Sequence, residues 1–166
     1  IAVLGCAGGN GLDRIRADIT RRVVGVDINP GYIAETRARY EGRFRSLELH
    51  VADIQSDTVA FEPVDLLFAA LILEYVDVDA LFARVRTMLR ADGELVSVVQ
   101  LPSASAMKVT PSAFSSLQAL GDLMRLVSPD EVLGAARSHS YVQIESRTVD
   151  LAGGKQFQVQ IFVAAT

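Results

Sequence analysis

Short apolar runs of strand length alternate with helix-forming stretches along most of this chain, and only the last two runs follow one another directly. That alternation limits the fold more than any other feature. Ile1–Leu4, Val23–Val26, Leu47–Val51, Val64–Ala70 and Glu94–Leu101 read as strands, each separated from the next by enough chain for a crossover. Strands joined in this way lie parallel and carry helices on both faces of the sheet. The intervening segments supply the helix signals. Leu12, Ile15 and Ile19 fall on one helical stripe. Asn29-Pro30 pairs a capping side chain with a proline preset for the first turn, and that helix is expected to reach about Arg43. Asp77 caps a helix with the apolar face Leu81, Phe82, Val85, Met88 and Leu89, expected to stop at Ala91-Asp92-Gly93, where glycine tolerates a left-handed turn. A loop over 102–111 and a helix over about 112–127 follow, and Ser128-Pro-Asp-Glu131 is a capping box that starts another helix. Tyr141–Leu151 and Gln156–Ala164, joined by Ala152-Gly-Gly-Lys155, make a hairpin, with Phe157, Val159, Ile161 and Val163 on one face of its last strand. The spacing predicts an α/β doubly wound parallel sheet that closes with one antiparallel hairpin.

Size and composition agree with one domain over residues 1–166. Apolar residues are 50% of the chain and charged residues 22%, and a domain of this length buries roughly 70% of its unfolded surface, so it needs no disulfide or metal staple. Cys6 is the single cysteine, which suits a reducing cytoplasm. The longest apolar run, Leu66–Leu73, is too short to span a bilayer, and no membrane partner is expected. Nothing at the start has the pattern of a signal peptide. The chain opens at Ile1 directly in a strand, so a further N-terminal segment is expected to precede it.

Three signals fall at successive strand ends. The first is Gly5-Cys6-Ala7-Gly8-Gly9-Asn10-Gly11, a loop where glycines let the backbone turn sharply and let a ligand approach the main chain. In an open α/β sheet this loop lies at the carboxyl edge, beside the point where strand order reverses and ligands bind. The second is Asp27 at the end of strand two, where a carboxylate can accept two hydrogen bonds from a ribose diol. The third is Ala52-Asp53-Ile54, where a carboxylate can accept from an adenine amino group and Ile54 can pack on the ring. Each has a plainer account: a packing turn, a helix-capping acid, a loop-turn acid. Their coincidence at three strand ends points to an adenosine-bearing ligand.

On these residues, together with Asp65-Leu-Leu-Phe-Ala-Ala-Leu-Ile-Leu-Glu-Tyr-Val76 and the leucine and glycine of Leu89–Gly93, the chain resembles class I S-adenosylmethionine-dependent methyltransferases. The resemblance implies a Rossmann-like sheet of seven strands in the order 3-2-1-4-5-7-6 with strand 7 antiparallel. It implies that Gly5, Ala7 and Gly9 cradle the methionine part of S-adenosylmethionine and that Asp27 holds the ribose. Asp53 and Ile54 would frame the adenine, and Ala70 and Leu71 would close the pocket. Their neighbours Cys6, Ile28 and Ala52 complete the expected cofactor site. Two positions depart from the family pattern. Val3 stands where the family usually has an acid, and Ala7 replaces the middle glycine, a mild change provided its φ is negative.

Methyl transfer to a small-molecule acceptor is the function these features favour. The acceptor mouth is expected at the exit of strand four, with Leu73, Glu74 and Tyr75, and at the loop Gln100–Ala106; Glu74 and Tyr75 are the candidate catalytic residues. The chain has no Arg or Lys from Ser46 to Ala83 but eight acids, Glu48, Asp53, Asp57, Glu62, Asp65, Glu74, Asp77 and Asp79. They are expected to line the active-site rim, to disfavour nucleic acid and to tolerate a neutral or amine-bearing acceptor. Other candidates carry less. Cys6 has no basic partner nearby in sequence, His50 and His139 read as structural, and no metal-ligand spacing occurs. Two other functions stay open. A nicotinamide-dependent reductase would use Gly5, Gly8, Gly11 and Asp27, although no tyrosine has a lysine four residues on. A cofactor-binding pseudoenzyme or regulatory partner is encouraged by Val3. A monomer or homodimer is expected.

Overall fold

The computed structural model describes residues 1–56, 59–103, 123–151 and 154–165. Its strands are β1 (Ala2–Leu4), β2 (Val23–Asp27), β3 (Leu47–Val51), β4 (Val64–Ala70), β5 (Leu89–Gln100), β6 (Tyr141–Asp150) and β7 (Gln156–Ala164). They form one sheet in the order β3-β2-β1-β4-β5-β7-β6. The first five are parallel, whereas β7 runs antiparallel to both β5 and β6. The expected topology is therefore the one the chain adopts. Its described helices are α1 (Pro30–Tyr40), α2 (Val78–Met88) and α3 (Pro129–Ser138), and none is long and apolar enough to cross a membrane.

Alternation along the strands divides the core into two layers. Val3 and Val23 join Cys6, Leu12, Ile33, Tyr40 and Phe44 in the layer under α1. Ala2, Leu4, Val24 and Val26 join the layer under α2 and α3, where Phe82 meets Tyr141 and Phe162 edge-on at 5.9 and 5.7 Å. All three helices start where the sequence places their caps. Asn29 accepts from the Gly31 N–H, Asp77 from Ala80 and Ser128 from Glu131. The capping box at Ser128 is only half used, because the Glu131 carboxylate pairs with Arg125 instead.

Three local expectations need correction. The stripe Leu12–Ile15–Ile19 does not form a helix. Only a 3-10 turn at Leu12–Arg14 exists; Leu12 is buried, and Ile19 is 68% exposed. Gly93 does not end α2. Leu89, at its C-cap, is already extended, and β5 begins there with a register shift opposite Val64 and Leu66. Glycine is needed at 93 for space, since a Cβ would lie 3.1 Å from the carbonyl oxygens of Arg90 and Val64. In β7, Phe157, Val159, Ile161 and Val163 share one face as expected, and the opposite face carries the deeply buried Gln160 and Phe162; Gln160 donates there to the Pro129 carbonyl. Finally, of the helix expected over about 112–127, residues 123–127 are not helical and the rest lies outside the described residues, as does most of the 102–111 loop.

Candidate functional site

A cavity of about 600 Å³ opens at the carboxyl ends of β1, β2, β3 and β4, where strand order reverses in an open α/β sheet. Gly5, Cys6 and Ala7 from the first loop, Asp27 and Ile28 after β2, Ala52, Asp53 and Ile54 after β3, and Ala70 and Leu71 at the end of β4 all line it. The structure thus brings together ten of the eleven expected cofactor residues. Gly9 is the exception. A Cβ there would lie 2.6 Å from the Tyr40 ring, so this glycine, at φ 77, lets the loop pack on α1 and does not face the cavity.

Hydrogen bonds from two sides fix the loop. The Ala7 N–H donates to Asp27 Oδ2 at 2.8 Å, and the Thr36 hydroxyl of α1 donates to the Ala7 carbonyl at 2.9 Å. Arg39 of α1 donates to the Gly8 carbonyl. Ala7 has φ 47, so the condition that made alanine a mild replacement does not hold, and the loop carries backbone strain there. Leu71, at φ 57, is a second strained residue on the cavity wall, and its N–H donates to the Val98 carbonyl.

The two acids at strand ends behave differently. Asp27 uses Oδ2 for Ala7 and Oδ1 for the Asn29 N–H, 2.9 Å away. A carboxylate offers about four lone-pair sites, so each oxygen can still accept from a ligand hydroxyl. Asp53 holds its own turn, accepting from the Gln55 N–H and the Ser56 hydroxyl, both at 2.9 Å. These bonds hold its carboxyl below the usual aspartate range. Cys6 is buried against Gly25, and burial, followed by the nearby Asp27 charge, pushes its thiol up to about 12. Such a thiol is a packing group and no nucleophile.

At the far end of the cavity, Tyr75 lines the wall and Glu74 does not. Glu74 is 1% exposed; its Oε1 accepts from the Gln100 N–H at 2.8 Å, and its Oε2 has no hydrogen-bond partner among the described residues. Burial raises its carboxyl above the ordinary glutamate value. The expectation that Glu74 meets an acceptor is therefore corrected: adjacent residues at the β4 exit point to different sides, and Glu74 takes the interior one. Burial, and secondarily the charge of Glu74, raises the Tyr75 phenol.

The acidic rim is corrected too. Among the described acids of the 46–83 stretch, Asp53 alone lines the cavity. Glu48 pairs with Arg22 and His50, Asp65 with Arg90, and Asp79 with His139, while Asp77 caps α2.

A family model described as a methyltransferase domain matches residues 1–93, more than half of the chain. The chain belongs to the methyltransferase-domain family. No curated protein matches it in sequence. Among solved structures it is similar to geranyl diphosphate C-methyltransferase from Streptomyces coelicolor A3(2), in a complex that includes S-adenosyl-L-homocysteine, at 16% identity over 99% of this chain and 72% of that one, TM-score 0.75. It is similar to the N-methyltransferase NodS from Bradyrhizobium japonicum WM9 with S-adenosyl-L-homocysteine, at 19% identity over 97% and 75% of the two chains, TM-score 0.71. It is equally similar in fold to the [4+2]-cyclase SpnF, at 12% identity over 99% and 75%, TM-score 0.75. At such identities the neighbours establish the fold, and one fold can host several chemistries.

Several cavity residues of this methyltransferase domain are not apparent in the local sequence motifs. Tyr32 of α1 lines the end near β2, and Met124, Lys155 and Phe157 line the far end. The signal for the last two was topological. Pairing of β7 with β5 sets Phe157 opposite Gln100, so the hairpin turn must arrive at the strand end where the expected acceptor mouth begins.

Proposed function

We propose that this methyltransferase domain transfers a methyl group from S-adenosylmethionine to a small-molecule acceptor, as a cytoplasmic monomer or homodimer acting on neither nucleic acid nor membrane. The observation that carries the proposal is Asp27, a carboxylate anchored by two backbone N–H groups yet facing a cavity whose other lining residues suit an adenosine. The donor set fits the group: a diol acceptor in Asp27, a second carboxylate in Asp53, and flat apolar walls from Ile28, Ala52 and Ile54. S-adenosylmethionine supplies a methyl group already activated on a sulfonium, so the protein's task is alignment. Asp27 holds the ribose, the Gly5–Ala7 backbone keeps the methionine end in place, and Leu71 closes the wall. Tyr75, with its phenol raised by burial, stays protonated near neutral pH and orients the acceptor as a hydrogen-bond donor rather than as a base.

Calorimetry with S-adenosylhomocysteine and with NAD tests this directly. The first should bind and the second should not. Asp27→Ala removes charge-assisted hydrogen bonds worth about 1.5–3 kcal/mol each, so affinity should fall at least about tenfold. Equal binding by the variant would refute the ribose assignment. One observation favours a second reading, binding without transfer: Val3 is enclosed with Cys6, Leu12 and Val23 in an apolar layer, at a position where the family usually has an acid. Tight S-adenosylhomocysteine binding with no turnover across a broad acceptor screen would favour it.

A further inference from the structure

The sheet ends at β3 on one side and at β6 on the other, and the two edges differ. β3 has five residues and β6 has ten. An edge strand presents unpaired N–H and C=O groups along its outer side, which another strand can meet. Every side chain from Ile144 to Thr148 is exposed, so neither face of this part of β6 is covered. It contains no proline, and its one irregularity, the register shift at Ile144, lies at its start. Which backbone groups point outward follows from the ladder with β7. The Leu151 N–H donates to the Lys155 carbonyl at 2.8 Å, and Glu145 to Asp150 continue the same register. Bonded and non-bonded pairs alternate in an antiparallel ladder. Glu145, Arg147 and Val149 therefore aim their main-chain groups at β7, and Ser146, Thr148 and Asp150 aim theirs outward. Gln156 agrees with this phase: it stands opposite Asp150, and its carbonyl accepts instead from the Leu101 N–H after β5.

Side chains alternate along a strand, so Glu145 and Arg147 share one face, where they pair at 3.2 Å. A second β6 laid antiparallel along this edge, with a twofold axis at Ser146, forms both Ser146 main-chain bonds across the axis. Glu145 then stands opposite Arg147 of the second copy, and Arg147 opposite its Glu145. Both are non-bonded positions, where opposing side chains come closest, at about 4.5 Å between Cα atoms. The same pairing lays Ile144, 55% exposed in the single chain, against Thr148 of the second copy. Other registers lose the match. An axis at Glu145 or at Arg147 sets like charges face to face, and an axis at Thr148 sets the two charges opposite Leu151 and Val149. We propose that β6 is the docking edge for a second copy of this chain, joining two seven-stranded sheets into one, with the Glu145–Arg147 pairs fixing the register. No residue of β6 lines the cavity, so this inference goes beyond the methyltransferase reading and does not depend on it.

Sedimentation velocity on the intact chain over a range of concentrations tests this. The wild type should dimerise with a dissociation constant of about 1–100 μM, as suits a small interface, and more weakly as salt rises. Glu145→Arg and Arg147→Glu should each weaken the dimer at least about tenfold, since each turns both cross-copy pairs into like charges. An equimolar mixture of these two variants should form a heterodimer as tight as the wild-type dimer, because one edge is then cationic and the other anionic at the facing positions. Ser146→Pro should abolish the dimer by removing an outward N–H, while the bonds to β7, and with them the melting temperature of the chain, are kept. The proposal is overturned if the wild type is monomeric up to about 500 μM, if Glu145→Arg and Arg147→Glu each dimerise like the wild type, or if their mixture stays monomeric. A dimer that survives Ser146→Pro would place the interface elsewhere and overturn it as well.

Discussion

Replacing Ala7 by glycine should make the protein more stable, although it removes a methyl group from a loop that lines the cavity. Ala7 has φ 47, and the Asp27 carboxylate on its N–H and the Thr36 hydroxyl on its carbonyl hold it there. An L-residue in this region costs about 1–2 kcal/mol because Cβ crowds the following carbonyl oxygen, a cost that glycine does not carry. Against that gain, glycine adds about 0.4–1 kcal/mol of unfolded-state entropy to be lost on folding. The difference is a stabilisation of roughly 0.5–1 kcal/mol. In a domain of this size that corresponds to a rise of about 1–4 °C in Tm. Scanning calorimetry on the wild type, Ala7→Gly and Ala7→Val checks it, the valine variant falling below the wild type because a branched side chain fits this region worst. A double-mutant cycle with Thr36→Val locates the restraint. Loss of that hydroxyl should cost about 1 kcal/mol where the strained carbonyl needs holding, and less once glycine relaxes the turn. Should Ala7→Gly melt at or below the wild-type temperature, the strain account is wrong.

Gly9→Ala should destabilise by about 1–3 kcal/mol, because its Cβ would sit 2.6 Å from the Tyr40 ring at a φ of 77; the denaturant midpoint reads this. Cys6, with its thiol near 12, should resist iodoacetamide in the folded protein at mildly alkaline pH and react freely once unfolded. Burial raises the Glu74 carboxyl in the folded state, so its protonated form favours folding below the ordinary glutamate value, and that contribution is lost as pH rises through the raised value. Glu74→Gln keeps an oxygen for the Gln100 N–H and removes the titration. The stability of the wild type relative to this variant should therefore decline from acidic to neutral pH, and a constant difference across that range would refute the linkage.

The grouping of Asp27, Asp53 and Leu71 around one cavity was legible because these residues follow strand ends, and the carboxyl ends of parallel strands are where an open α/β sheet leaves its crevice. Asp27, Asp53 and Leu71 needed only the strand boundaries to be placed. Gly9 was misjudged because a glycine required for contact with Tyr40 looks, in sequence, the same as one required by a ligand. The missing helix after the first loop has a similar origin. Leu12, Ile15 and Ile19 have the correct period, but Leu12 alone is fully buried, and the segment between them is occupied by local Asp13–Arg14 and Arg16–Asp18 ion pairs. Periodicity reports a face; whether the fold has room for it is a tertiary matter.

Glu74 shows why the acceptor end was harder to read. Its neighbour Tyr75 lines the cavity, and sequence alone places an acid one position away beside it, yet the Glu74 side chain turns inward and the residue acts on the wall itself. Its carboxylate accepts from Gln100 at the end of β5, its carbonyl accepts from the Arg125 N–H, and Arg125 pairs with Glu131 at the start of α3. Through that chain the exit of β4, the end of β5 and the segment before α3 are held as one surface, onto which the hairpin then brings Lys155. The near end of the cavity comes from consecutive strand ends in the first part of the sequence. The far end is built from four distant segments, and no local motif marks the residues that line it there, Met124, Lys155 and Phe157. A charge count along the 46–83 stretch therefore does not describe the cavity: Glu48, Asp65, Asp77 and Asp79 are taken up by Arg, His and helix-cap partners, and among the described acids of the stretch Asp53 alone reaches the lining.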